Sequence, residues 1–197
     1  MLTPGISYED VVAGFQWQIP ERYNIGVDIC DRHADAGLGT ALIHLAQDDR
    51  VTEYSFSDLK RLSNRLANVL TSYGIVRGDR VGVLMPQRPE TAIGHIAVYK
   101  AGMIAVPLFT LFGAEALAYR LGDSRARALI TDTESWPKIA AIRDQLPELR
   151  LVLVVDAVKD GDGAVAYGPA LERATDAFTP ADTLADDPAV IIYTSGT

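Results

Sequence analysis

Cysteine is almost absent from this chain: Cys30 is the only one in 197 residues. That excludes an intrachain disulfide and a cysteine-based metal cluster. Basic charge is also short. There are 18 lysines and arginines against 26 aspartates and glutamates, a net charge of −8, whereas a nucleic-acid backbone selects basic faces. No apolar run approaches the roughly 20 residues that span a bilayer. The opening Met1-Leu2-Thr3-Pro4-Gly5 has no basic patch followed by an apolar stretch, so no secretory leader is expected and the cytoplasm is the expected location. The three histidines, His33, His44 and His95, are scattered, and no metal site is expected from them. A Gly-Lys-Ser/Thr loop is missing, which excludes the Walker type of phosphate site. There is no internal repeat.

What is present is an ordinary globular composition, 48% hydrophobic and 22% charged, enough for a real core. Tyr8 to Gln16 reads as a short helix and Pro20 to Asn24 as an extended arm. Ala41 to Leu45 and Val51 to Tyr54 read as a hairpin around the turn Gln47 to Arg50. The spacing of Leu59, Leu62, Leu66, Val69, Leu70 and Tyr73 predicts an amphipathic helix, capped by Ser55 or Ser57 and stopped by Gly74. A strand is predicted over Arg80 to Met85. Pro89-Glu90 then opens a helix that runs to about Lys100, with Gly102 as its stop. Strands follow at Met103 to Leu108, Ala128 to Thr131 and Leu151 to Val155, and helices at Ala114 to Leu121, Trp136 to Gln145 and Tyr167 to Thr175. Strands that alternate with helices, and are apolar throughout, predict an α/β fold: a mostly parallel, doubly wound sheet with helices on both faces.

The carboxyl end carries the most chemistry. Ala189-Val190-Ile191-Ile192-Tyr193 reads as a buried strand that runs into Thr194-Ser195-Gly196-Thr197. Glycine lets backbone N–H groups approach an anion, and the hydroxyls add donors. The bland alternative is a solvent turn, but ligands of open α/β sheets sit at the carboxyl ends of strands. These four residues are the candidate phosphate and nucleotide contacts. No catalytic residue is assigned. The chain stops inside this loop, and it is expected to be the first part of a larger protein. Cys30 with His33 is read as structural, for want of a third orienting group. Lys100, in a last helical turn, is read as complementing the helix dipole. Trp17 and Trp136 are read as packing residues, and Asp48-Asp49 and Asp186-Asp187 as solvent-facing.

Three stretches in order, Tyr54-Ser55-Phe56-Ser57-Asp58-Leu59, Tyr99-Lys100-Ala101-Gly102 with Met103 to Leu108, and Tyr193 to Thr197, resemble the adenylate-forming (AMP-binding) superfamily. Trp17-Gln18-Ile19-Pro20-Glu21-Arg22-Tyr23-Asn24 with Asp28 and Cys30-Asp31-Arg32-His33 is similar to its acetyl-CoA-synthetase-like and medium-chain acyl-CoA synthetase members, as is Pro107 to Gly113 with Tyr119-Arg120-Leu121. The resemblance implies the first subdomain of an AMP-binding domain over residues 1–197. It implies a ligase that joins a short- or medium-chain carboxylic acid to coenzyme A with ATP and Mg2+, releasing AMP and pyrophosphate. It implies small-molecule partners only, with a role near the CoA phosphate as a minor option for Arg125 and Arg127. The family's remaining phosphate-loop residues, its acyl pocket and its C-terminal domain have no counterpart here, so the chain alone is expected to be inactive and to self-associate through uncovered apolar surface. Two rival expectations are a free-standing, non-catalytic nucleotide- or phosphate-binding module and a structural piece that needs a further segment to pack.

Overall fold

The structure, a computed structural model, describes residues 7–194. Helix α1 (Tyr8–Gly14) begins at a capping box between Ser7 and Asp10 and buries no residue. The arm after it crosses the surface, where Arg22 bridges Leu184 and the Asn24 side-chain amide donates to the carbonyls of Tyr99, Lys100 and Ala181. A π-helical turn (Val27–Asp31) leads into α2 (Arg32–Asp35), neither of which the sequence pattern reveals. Strands β1 (Thr40–Leu45) and β2 (Val51–Ser55) pair antiparallel as a separate hairpin.

Helix α3 (Phe56–Ser72) starts at Ser55, which settles the choice of cap: the Ser55 hydroxyl accepts from the Asp58 N–H while the Asp58 carboxylate accepts from the Ser55 N–H and hydroxyl. Gly74, at φ +74°, ends this stretch of chain in the left-handed region that glycine tolerates best. Then come β3 (Arg80–Leu84), α4 (Pro89–Lys100), β4 (Ile104–Leu108), α5 (Ala114–Asp123), β5 (Ala128–Asp132), α6 (Trp136–Ala140), β6 (Leu151–Val155), β7 (Val165–Ala166) and α7 (Tyr167–Arg173).

Strands β3 to β7 make one parallel sheet in the order β4-β3-β5-β6-β7. Alternate residues serve opposite cores. Val81, Val83, Ala128, Ile130, Leu151 and Leu153 pack with the helices α3, α4 and α7. Leu84, Val106, Leu129, Val152 and Val154 pack with Leu117 and Leu121 of α5 and Ile139 of α6. Both faces are covered, so the strands are apolar except at the ends, where Arg80 opens β3 and Thr131 and Asp132 close β5, and each fully buried Leu or Ile contributes about 1.5–3 kcal/mol. The predicted doubly wound α/β architecture is present.

Three expectations need correcting. The helix expected over residues 136–145 breaks after Ala140. Ile142 leaves helical geometry, at φ −115° and ψ 6°, and a 3-10 turn (Arg143–Gln145) follows, while Ile142 and Leu146 are buried against the sheet. Trp17 is not a packing residue of the core: it is 79% exposed and meets only Phe15 edge-on among the aromatic rings, at 4.9 Å between centroids. The strand expected at 189–193 is reduced to one parallel bridge, Val190 with Ala105. Ala189, Ile191 and Tyr193 turn inward, while Val190 and Ile192 face out. The ladder stops there because β4 offers Pro107, which has no N–H, where the next donor would stand.

Candidate functional site

The strands of the parallel sheet run the same way, so their carboxyl ends share one rim. On that rim Thr131 donates to the Leu84 carbonyl at 3.0 Å, and the buried Asp132 accepts from the Ser135 N–H at 2.7 Å. Arg88 follows the end of β3 and reaches Asp156, just past β6, with two hydrogen bonds of 2.7 and 3.1 Å and Glu90 with one of 2.7 Å. These bonds, those from Asp156 first, hold the guanidinium more firmly protonated than usual.

Thr194 emerges at the β4 edge of this rim. The bridge of Val190 to Ala105 sets the level of the segment, and Thr194 leaves it exposed. Its hydroxyl and backbone donors stand at the carboxyl edge, where an anion site belongs. Ser195, Gly196 and Thr197, the other three expected contacts, lie outside the described residues. Beside Thr194, the loop 109–113 carries Phe109 and Leu111, 70% and 95% exposed. Lys138 of α6 holds that loop by donating to the carbonyls of Thr110 (2.6 Å) and Phe112 (3.5 Å). The Arg120 guanidinium lies 4.1 Å over the Phe112 ring and 5.7 Å from the Tyr193 ring. The Tyr193 phenol donates to Asp123 at 2.6 Å; burial first, and then this bond, push its pKa up to about 12.

Phosphate needs donors, and Thr194 brings one hydroxyl to this edge. Magnesium needs clustered oxygen ligands. Among the described residues no three His, Cys, Asp or Glu side chains converge to hold a metal ion. The described residues around Thr194 therefore do not by themselves furnish a magnesium site. Arg125 and Arg127 immediately precede β5, at the opposite rim. The Arg125 carbonyl accepts from Arg80, and Arg127 pairs with Glu148 at 3.0 Å, so neither accompanies Thr194.

Lys100, expected only to complement the helix dipole from a last turn, is instead a buried charge. Lys100 is 0% exposed, and its Nζ lies 2.5 Å from Asp31 Oδ1 and 2.8 Å from both Ser63 Oγ and Asn64 Oδ1. Asp31 Oδ1 has no hydrogen bond of ordinary geometry, so Lys100 serves it as counter-ion. Burial depresses the lysine pKa against the opposing pull of Asp31. The pair pins the Val27–Asp31 turn to α3 and α4, far from the rim. A signal existed: Ile93, Ile96, Ala97 and Lys100 lie at helical spacing on one buried face. Cys30 beside it is buried, and desolvation pushes its thiol up to about 11, which suits packing and not nucleophilic attack. His33 packs tilted against Phe56, with 4.9 Å between ring centroids. Asp187 does not simply face solvent: it accepts from the Leu184 N–H (2.9 Å) and from Arg77 (2.6 Å).

Comparison with known proteins agrees with this geometry. Residues 32–197 match the family described as AMP-binding enzyme. The mitochondrial acyl-coenzyme A synthetase ACSM3 of Mus musculus is 30% identical over an alignment of 199 positions that covers 97% of this chain and 34% of that protein. An acyl-CoA synthetase of Brucella canis has a solved structure similar to this one, with a TM-score of 0.87 and 28% identity over 96% of this chain and 36% of that one. The anthranilate CoA ligase AuaEII, solved in complex with anthranoyl-AMP, gives 0.80 and 29% over 90% of this chain and 33% of that one. The chain thus spans about a third of the length of each relative. Since the family match covers most of its residues and the parallel sheet follows the same course as these structures, the chain belongs to the AMP-binding enzyme family.

Proposed function

We propose that this chain forms the amino-terminal portion of an ATP-dependent, AMP-forming acyl-CoA synthetase for a short- or medium-chain carboxylic acid, working in the cytoplasm. The observation that carries the reading is the emergence of Thr194, which Ser195-Gly196-Thr197 follow in the sequence, at the carboxyl edge of a parallel sheet in a chain of this family. In such a reaction the substrate carboxylate attacks the α-phosphorus of ATP and pyrophosphate leaves. The coenzyme A thiol then attacks the acyl carbonyl, and AMP leaves with the bonding pair. The anthranoyl-AMP bound to the similar anthranilate ligase is the mixed anhydride that a first step of this type forms. Magnesium, when bound, offsets charge on the phosphates. The part of this chain is to orient phosphate oxygens with the Thr194 hydroxyl and the backbone donors around Gly196.

The chain alone is inactive in this account. Stabilising a transferring adenylyl group needs preorganised positive charge, and the cations around Tyr193 and loop 109–113 are committed: Lys138 to two carbonyls, Arg120 to two aromatic rings. Exposed Phe109, Leu111, Val190 and Ile192 around this edge support self-association of the chain. The test is pyrophosphate release from ATP, Mg2+ and a series of carboxylic acids. The isolated chain is expected to release none, and the whole protein to form AMP, pyrophosphate and a thioester of short or medium acyl length. Release by the isolated chain would overturn its assigned role. Micromolar nucleotide binding without any release by the whole protein would favour the non-catalytic module.

A further inference from the structure

The last described stretch of chain is held to the sheet by few bonds, and the cause lies in β4. Along a parallel ladder, a residue that faces its neighbour donates its N–H to one residue and accepts from the residue two further on. Ala105 does both: its N–H donates to the Ala189 carbonyl and its carbonyl accepts from the Ile191 N–H, each at 2.9 Å. The next residue of β4 to face this edge is Pro107, which has no N–H for the Ile191 carbonyl. Among the described residues, no backbone hydrogen bond between segments follows that of the Ile191 N–H. Ile192 is 68% exposed and adds no packing there.

Where the ladder ends, one side chain takes hold. The Tyr193 phenol donates to Asp123 Oδ2 at 2.6 Å, a bond to a charged acceptor, which is stronger than one between neutral groups. Its ring meets Tyr119 at 6.3 Å and 73°, and Arg120 lies 5.7 Å from its centroid. Arg120 is itself fixed over Phe112 and by a 3.0 Å bond from Nη1 to the Ala116 carbonyl. All three partners of the ring belong to α5. Asp123 is the last residue of that helix, where the dipole disfavours an acid. Its position is poor for the helix and good for the phenol.

We propose that Tyr193 is the positioning residue of the loop that begins at Thr194. Pro107 ends the backbone ladder, and the latch of Tyr193 onto α5 sets where the loop leaves the sheet. This rests on the reading of Thr194 to Thr197 as a phosphate loop, but the latch can be tested without nucleotide.

The experiment is amide hydrogen exchange and nitrogen-15 relaxation on the 197-residue chain and its variants. In Tyr193→Phe, exchange of the Ile191 N–H is expected to quicken about tenfold, the loss of one charge-assisted bond. The order parameter of the Thr194 amide is expected to fall towards the flexible range, below about 0.6. The amides of Leu129 and Ile130 in β5 stay as they were. Asp123→Asn, which weakens the acceptor without touching β4, is expected to move both readouts the same way. The discriminating variant is Tyr193→Phe with Pro107→Ala, which gives the ladder back its missing donor. It is expected to recover most of the Ile191 protection, and the amide N–H that the second substitution introduces into β4 should itself be protected. Unchanged exchange and order in Tyr193→Phe would overturn the proposal. So would a loss that the restored donor fails to repair, since that would make Tyr193 a packing residue only. Failure of the ligase reading would show separately, in the pyrophosphate assay.

Discussion

The two ends of β4 are held in opposite ways. Before the strand, Lys100 is sealed among Asp31, Ser63 and Asn64 with no solvent contact, and Gly26 lies against it so closely that a Cβ there would meet Lys100 Cγ at 2.7 Å and the Ile96 carbonyl at 2.8 Å. Past the strand, the segment towards Thr194 rests on one bridge and one phenol, with apolar side chains open to solvent. The first region is a closed polar network and the second an open edge. Enclosure gives the fold a fixed corner, while ligands of open α/β sheets sit at the strand ends and loops of this kind belong to the less stable parts of a fold.

Breaking the closed region should cost most. Lys100→Met leaves Asp31 buried without its counter-ion, and urea unfolding is expected to show a loss of about 3–5 kcal/mol; adding Asp31→Leu should restore much of it. Gly26→Ala comes next, at about 1–3 kcal/mol, because two of the atoms its Cβ would strike are the Ile96 carbonyl and the Lys100 nitrogen of the backbone, which have little room to yield. A loss under about half a kcal/mol, the range of an ordinary surface substitution, would show that the turn before Val27 can shift.

Ser55→Ala should cost about 1 kcal/mol at neutral pH and change the acid limb. Hydrogen bonds from Ser55, ahead of Arg61, hold the Asp58 carboxyl below its usual range. A depressed carboxylate stabilises the fold above its unfolded pKa of about 3.9, and that contribution is lost as pH falls through the lower folded value. Denaturation at about pH 7 and about pH 3 should therefore show a smaller difference between wild type and Ser55→Ala at the acid end. The open edge yields the smallest effect. The Tyr193 pKa is raised to about 12, so its contribution is complete below the unfolded value of about 10 and lost as pH climbs through about 12. Tyr193→Phe should flatten that part of the alkaline limb, and an unchanged limb would place the phenol outside its bond to Asp123.

The sheet is legible in the sequence because the strands buried on both faces are largely apolar runs, broken mainly by Thr131 and Asp132 at the end of β5, and Pro89 and Gly102 mark the ends of α4. The Ser55 cap is legible as one of two choices that only the bond to Asp58 decides. The enclosure of Lys100 is not, because it depends on Asp31, remote in sequence, although helical spacing with Ile93, Ile96 and Ala97 points the lysine inward. The break after Ala140 leaves no mark in the pattern, because Ile139, Ile142 and Leu146 keep a helical spacing even where the backbone does not. At the edge, Thr194 is legible from the apolar run before it. The loss of that strand beyond Val190 is not, since the missing donor of Pro107 matters only once the strand order is known. The Tyr193–Asp123 bond, across 70 positions, leaves no local trace.

The central proposal is that Thr194 to Thr197 contact phosphate at the carboxyl edge of the sheet. The most direct test is to titrate the nitrogen-15-labelled chain with ATP and Mg2+ and follow every backbone amide. The account predicts shifts confined to Thr194 to Thr197 and loop 109–113, saturating no more tightly than the millimolar range. Micromolar saturation, or shifts centred on any other part of the molecule, would contradict it.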